Sequence, residues 1–167
     1  MNGFQKITPY ELENVCRLFD KDWTLITVKD GDRANAMTAS WGGVGILWNK
    51  PVAFLFVRPQ RHTFSLLQKE ETFSLCFLPE TGRDALRICG SKSGRDTDKL
   101  ALAKLDVEYE NSTPFVAQSR LVLLCRKCYA SDLLPEGFLD KTLLDNYRAG
   151  DFHRMYIAEI ESAYLRD

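Results

Sequence analysis

The chain has 167 residues and a formal net charge of −1, with 45% hydrophobic and 27% charged residues. That composition excludes disorder, and the near-neutral balance gives neither a nucleic-acid nor a membrane-surface footprint. A chain of this length buries about 70% of the surface its unfolded form exposes, enough for one core without disulfide staples.

Residues 1–167 are therefore read as a single domain. The five cysteines make an odd count with no framework spacing. The opening Met1-Asn2-Gly3-Phe4-Gln5-Lys6 has no apolar signal core, and no apolar run reaches the roughly 18 residues of a membrane span. The expectation is a cytoplasmic protein with reduced thiols.

Thr8-Pro9-Tyr10-Glu11 has the form of a capping box with proline at the first helical position. It predicts a helix to about Asp20 that buries Leu12, Val15 and Phe19. Trp23 to Lys29 alternates and is rich in Thr, Ile and Val, the pattern of a strand. Asp30-Gly31-Asp32 predicts a hairpin turn. The next strand, Arg33 to Trp41, is built of small residues. Val52 to Val57 is a continuous apolar strand, followed by a short amphipathic helix with Phe64 and Leu67 inward. Thr72 to Leu78 is a further strand. Short helices are expected over Arg83–Cys89 and Thr97–Lys104, and short strands near Val107–Tyr109 and Phe115–Ala117. Long strands follow at Arg120–Ala130 and His153–Leu165, joined by a helical segment around Leu139 to Tyr147. Closely spaced strands with short helices between them predict an antiparallel barrel with excursions, not a doubly wound sheet.

Three segments carry chemistry. The first is Ala34-Asn35-Ala36-Met37-Thr38-Ala39-Ser40-Trp41-Gly42-Gly43. A strand of Ala, Thr and Ser fills a core poorly. It either faces a crowding neighbour or lets something flat lie against the backbone, with hydroxyls and amides bonding its edge. Thr38 and Ser40 share a face, since residues i and i+2 do. The second is Val57-Arg58-Pro59-Gln60-Arg61-His62-Thr63-Phe64, which joins a strand to a helix with Thr63 in the cap position. A helix start with free N–H groups and added arginine suits a phosphate; the alternative is a solvated, ordinarily capped loop. The third is Cys89-Gly90-Ser91-Lys92-Ser93-Gly94-Arg95-Asp96-Thr97-Asp98-Lys99. It lacks P-loop spacing, but is basic, hydroxyl-rich and able to close over an anion, or else a plain surface connection.

Other patterns point nowhere. Gly42-Gly43-Val44-Gly45 lacks the dinucleotide fingerprint. Cys125-Arg126-Lys127-Cys128 falls in a strand, where i and i+3 face opposite ways, so no metal is expected. Two histidines, His62 and His153, and the absence of a Gly-x-Ser-x-Gly elbow give hydrolytic triads little support.

Taken in order, Asn35 to Trp41, Arg58 to Thr63 and Gly90 to Asp96 resemble the flavin reductase-like proteins of the FMN-binding split-barrel fold, in particular the flavoredoxin-like branch. The resemblance covers nearly the whole chain. It implies a mainly β, six-stranded antiparallel Greek-key barrel with short helices, and a homodimer with FMN at or near the subunit interface. It also implies two-electron chemistry with NADH or NADPH. On this sequence, Asn35, Met37, Thr38, Ala39, Ser40 and Trp41 would meet the isoalloxazine and ribityl chain. Arg58, Arg61, His62 and Thr63 would serve the phosphate, with Ser91, Lys92 and Ser93 adding to it. His153 stands where the family often has a histidine opening the last strand; Ala158-Glu159 replaces a common Gly-Glu pair there.

Residue chemistry agrees with that implication. FMN joins a dianionic phosphate, a polar ribityl chain and a flat ring with an amide-like edge. The arginine-rich helix start suits the first, and the hydroxyl-bearing strand suits the rest. The flavin supplies the hydride chemistry, so no acid–base pair is required. The leading expectation is an FMN-binding oxidoreductase that takes hydride from NADH or NADPH and passes electrons to a flavin or protein acceptor. Its alternatives are a flavin-carrying electron-transfer protein with little turnover, and a barrel module that binds nucleic acid through its arginines. A barrel this small cannot enclose FMN. A flavin on its outer wall needs a cover, so a second subunit is expected, with Trp41, Trp48 or Phe64 reaching the interface.

Overall fold

Alternation along the strands gives one antiparallel sheet two packed faces. The computed structural model describes residues 1–166. Strands β2 (Thr24–Asp30) and β3 (Arg33–Ala39) form a hairpin closed by Gly31, whose φ of 62° suits glycine. From β2 the sheet continues through β6 (Thr72–Phe77), β9 (Leu121–Asp132), β10 (Arg154–Arg166) and β5 (Lys50–Val57) to β4 (Gly42–Leu47). Strand β1 (Phe4–Ile7) pairs with the far half of β10, and β7 (Val107–Glu110) with β8 (Thr113–Val116) in a separate hairpin.

The fold is therefore mainly β with short helices, as the sequence implies, but the sheet has eight strands where six were expected. The additions are β1 and β4. A Cβ at Gly42 would stand 2.5 Å from the Phe54 carbonyl oxygen, and one at Gly43 2.5 Å from the Phe54 ring. Gly42 and Gly43, to which the sequence assigns no element, are what allow β4 to lie against β5.

One face of the sheet is the barrel interior, where Ile26, Met37, Leu55, Phe73, Leu123 and Tyr156 pack together. On the outer face, Leu25, Ala36, Cys76 and Val122 are covered by α3 (Arg83–Ser91), α4 (Lys99–Leu102) and the β7–β8 hairpin. Helix α2 (His62–Lys69) follows β5 directly and buries Leu66 and Leu67. The Cys-x-x-Cys pair divides as alternation requires: Cys125 is in the core and Cys128 is exposed.

Near the N-terminus the continuous helix does not form. The capping box is present, but it closes only a 3-10 turn over Pro9–Glu11. Asn14 then adopts a left-handed conformation (φ 51°), through which a right-handed helix cannot continue. Helix α1 (Val15–Arg17) and a wider turn over Leu18–Asp22 follow. Phe19 is buried as expected, whereas Leu12 and Val15 only pack partly against the core. The segment expected to be helical before β10 is a 3-10 stretch, Lys141–Tyr147, capped by Asp140. Among the described residues no helix is long and apolar enough to cross a membrane.

Candidate functional site

The small residues of β3 serve two neighbours in succession. Ala36 faces outward beneath α3, so the crowded-strand reading holds for the first half of the strand. The helix comes so close that a Cβ on Gly90 would stand 3.4 Å from the Thr38 Cβ. The Thr38 hydroxyl donates to the Leu86 carbonyl at 2.5 Å. Beyond Thr38 the strand leaves the helix, and Ser40 and Trp41 are exposed. A cleft of about 280 Å³ opens there, lined by residues 37–41 with Phe56, Arg58, Arg61 and His153. Met37 and Ala39 turn their side chains into the barrel core, so only their backbone can serve this cleft. The Thr38 hydroxyl spends its proton on α3 and can only accept, whereas Ser40 is free to do either.

Arg61 forms a wall of a second cavity, of about 180 Å³, between the start of α2 and residues 91–94, with Lys99 at its base. The N-cap of α2 is Arg61, not Thr63, and its side chain makes no cap bond, so the first N–H groups of the helix have no side-chain acceptor. Thr63 is buried two residues further on, within the first turn, where its hydroxyl accepts from Asn35 Nδ2 at 2.8 Å. Asn35 is thus a support for the helix start and not a wall of the ring-side cleft. The Arg61 guanidinium donates to the Gly90 carbonyl at 2.8 Å, and Lys99 Nζ to the Cys89 carbonyl at 3.2 Å. Both cations therefore cap the C-terminal end of α3, where positive charge is favoured. Neither they nor Lys92 meets a carboxylate among the described residues. Burial pushes the Lys99 amine down to about 8, with Arg61 adding to the effect and Cys89 opposing it.

His62 opens α2 and lies on this cavity, with Nε2 2.8 Å from Asp30 Oδ2 and Nδ1 buried without a partner. The loop closes tightly. A Cβ at Gly94 would stand 2.2 Å from Asn35 Oδ1, and Arg95 donates to the Gln60 carbonyl at 3.0 Å. Ser91, Lys92 and Ser93 all line the cavity, as their composition suggested.

Arg58 does not join them. Its guanidinium pairs with Asp151 and donates to the Asn146 carbonyl at 3.1 Å, and Gln60 donates to the same Asp151 carboxylate at 2.7 Å. Those contacts, Arg58 first, hold the Asp151 carboxyl below its ordinary range. Arg58 therefore lies at the ring-side cleft with its charge already matched, apart from the cavity where Arg61 sits. It ties β5 to the excursion between β9 and β10. Beside it His153 is 7% exposed, its ring 5.1 Å from Trp41 and its Nδ1 2.9 Å from the Tyr147 hydroxyl.

Sequence reasoning included Lys99 in the third segment without singling it out, did not find Phe56 or Tyr147, and reached His153 only through the family likeness. A lysine that opens a four-residue helix after the polar run Arg95 to Asp98 gives no sign that it is buried; only the packing of α4 against α3 shows it.

Fold and site together define a split-barrel protein with an elongated site, suited to a flat ring joined to an anion. A family model described as the flavin reductase like domain matches residues 16–167, and the chain belongs to that family. No curated protein sequence matches it. Among solved structures, the FMN-binding domain of a flavin reductases-like enzyme from Shewanella baltica has 17% identity and a TM-score of 0.72, over 98% of this chain and 77% of that one. Flavoredoxin from Methanosarcina acetivorans has 22% identity and a TM-score of 0.69, over 98% and 76%. An NADH:FAD oxidoreductase from Streptomyces globisporus, in complex with NAD and FAD fragments, has 19% identity and a TM-score of 0.63, over 87% and 74%. At these identities the likeness establishes the fold.

Proposed function

We propose that the chain is an FMN-binding oxidoreductase that takes hydride from NADH or NADPH and delivers electrons to a flavin or protein acceptor. The observation that carries this reading is a pair of cavities with Arg61 in the lining of both. One has three cations without carboxylates and an open helix start, and it shares Arg61 with a cleft floored by β3. Family membership and FMN-binding structural neighbours support it.

In this reading Arg61, Lys92 and Lys99 hold the phosphate, with Ser91, Ser93 and the N–H groups at the start of α2. Asn35 and Thr63 brace that helix start, and His62 closes the wall. The backbone of Met37 to Ser40 and the Ser40 hydroxyl meet the ribityl chain and ring edge, and Trp41 flanks the ring. Bound FMN supplies the two-electron chemistry, while the chain binds, orients and limits water.

We further propose a homodimer. The ring-side cleft is open, and Trp41, Ile46, Leu47 and Trp48 are exposed along the β4 edge. The accessible surface of 9121 Å² is roughly a tenth above the scaling value for a monomer of this size. A second copy over this edge would bury it and cover one face of the ring. Sedimentation equilibrium at micromolar concentration tests this, a dimer being expected and a monomer with tightly held FMN contradicting it.

The function itself is tested by the absorbance spectrum of purified protein mixed with FMN, followed by oxidation of NADH and NADPH. A bound-flavin spectrum with turnover is expected. Bound flavin without turnover would leave the electron-carrier reading, and no bound flavin would contradict both.

A further inference from the structure

The excursion between β9 and β10 brings one hydroxyl to one imidazole. Tyr147 ends the Lys141–Tyr147 turn and is held on several sides. Its ring stacks on Phe152 at 4.7 Å and meets Phe138 at 5.6 Å, with the Arg58 guanidinium 5.3 Å above it. The Tyr147 oxygen stands 2.9 Å from His153 Nδ1, and both side chains are buried. This is the hydroxyl's one hydrogen bond among the described residues. Its proton therefore has one acceptor, the Nδ1 lone pair. The reverse arrangement, with Nδ1–H donating, would strand a buried hydroxyl proton, which is costly.

A neutral imidazole that accepts at Nδ1 carries its proton on Nε2. His153 lines the ring-side cleft opposite Trp41 and Phe56, and its Nε2 is not among the buried atoms without partners. The charged groups facing the ring are Arg58 from the end of β5 and Asp151 from the excursion, and these two are paired with each other. Burial first, then Arg58, pushes the imidazole down to about 4, with Asp151 opposing. The ring is neutral near pH 7, in surroundings whose charges cancel.

We propose that Tyr147 is a positioning residue that holds His153 in its Nε2–H tautomer, so that the cleft presents one fixed donor to the carbonyl of a neutral, flat ring compound. Around His153 the aromatic walls and the self-paired Arg58 and Asp151 favour such a ligand over a carboxylate or a cation, the unmatched Arg61 being the residue shared with the second cavity. Two reaction partners share that chemistry, the carboxamide of a nicotinamide and the carbonyl of a conjugated acceptor. The ligand rests on the flavin reading, but the tautomer does not.

The test uses full-length protein labelled with 15N-histidine, without flavin. The chain has two histidines, and His153→Gln assigns the signals. His153 is expected to show an unprotonated Nδ1 and a protonated Nε2, unchanged from about pH 5.5 to 8.5. A protonated Nδ1, a tautomer mixture or a titration in that range would overturn the proposal. In Tyr147→Phe the tautomers should mix. With FMN bound, one KM should then rise about five- to tenfold while FMN affinity stays within about twofold. A rise for NADH or NADPH assigns the donor to the nicotinamide, and a rise for cyclohexenone assigns it to the acceptor. Mixed tautomers with both KM values unchanged would overturn the carbonyl subsite. Adding Tyr147→Phe to His153→Gln should cause no further rise, whereas a merely structural tyrosine would add its own. Absence of any flavin binding would defeat the functional reading while the tautomer result stood.

Discussion

Arg58 and Arg61 lie on the same short connection between β5 and α2 but meet opposite surroundings. Arg58 is paired with Asp151, which Gln60 also binds, so its charge is cancelled within the chain. Arg61 donates only to the carbonyls of Gly90 and Cys89, which use its N–H groups but leave its charge unmatched. Lys99 repeats that arrangement from the other side. An arginine serves an external anion when its internal partners are dipoles, and braces the fold when its partner is a carboxylate. The two ends of the proposed site differ on that basis: an electropositive cavity with Arg61, Lys92 and Lys99, and an aromatic cleft where Arg58 is paired and Arg61 is the one unmatched charge.

The sharpest way to break this contrast is to remove the unmatched charge. Arg61→Ala should weaken FMN by roughly 1.5–3 kcal/mol, or about 10- to 150-fold in Kd. Fluorescence quenching measures it, and an unchanged Kd would take Arg61 out of the site. Next is pH. The Lys99 amine is lowered to about 8, so the free protein loses that charge as pH rises above 8. Phosphate binds the charged form, so FMN affinity should be level from about pH 7, where the phosphate is a dianion, up to that pH. Above it, affinity should fall by up to about tenfold per unit. Lys99→Met should be weaker at pH 7 and flatten the curve; a slope that survives it belongs to another group. The same shift acts on stability with the opposite trend. An amine lowered in the fold from 10.5 is a penalty at neutral pH that is relieved as pH rises from about 8.

A smaller effect is expected from Lys92→Ala, about two- to fivefold in Kd, because Lys92 is exposed and screened. The smallest effect on FMN should come from Arg58→Ala, within about twofold, since that charge is already paired. Its consequence should appear instead in the excursion between β9 and β10. Faster proteolysis or amide exchange around residues 138–152 would show it, and a large loss of FMN affinity would reverse the assignment of the two arginines.

Much of this arrangement is legible in the sequence because local pattern decides it. Alternation and β-branching mark β2, a continuous apolar run marks β5, β6, β9 and β10 read as strands in turn, and the small residues of β3 mark a strand under close approach. Ser91 to Ser93 and Arg61 are where their composition puts them, on one cavity. What is not legible depends on distant partners. Arg58 looks like Arg61 until Asp151, 93 residues away, is folded beside it. Lys99 looks solvated until α3 ends against it. Strand β4 goes unassigned in the sequence because its pairing with β5 depends on room above Phe54. The N-terminal helix fails at Asn14, whose left-handed backbone the periodicity of Leu12, Val15 and Phe19 does not reveal.

The central claim is that the carboxylate-free cavity anchors a phosphate. Comparing FMN with riboflavin, which lacks that phosphate, tests it most directly, by calorimetric titration of the same preparation at pH 7. If Arg61, Lys92 and Lys99 act together there, FMN should bind at least about 100-fold more tightly than riboflavin. The difference should shrink above the pH at which Lys99 discharges. Equal affinities for the two would contradict the account.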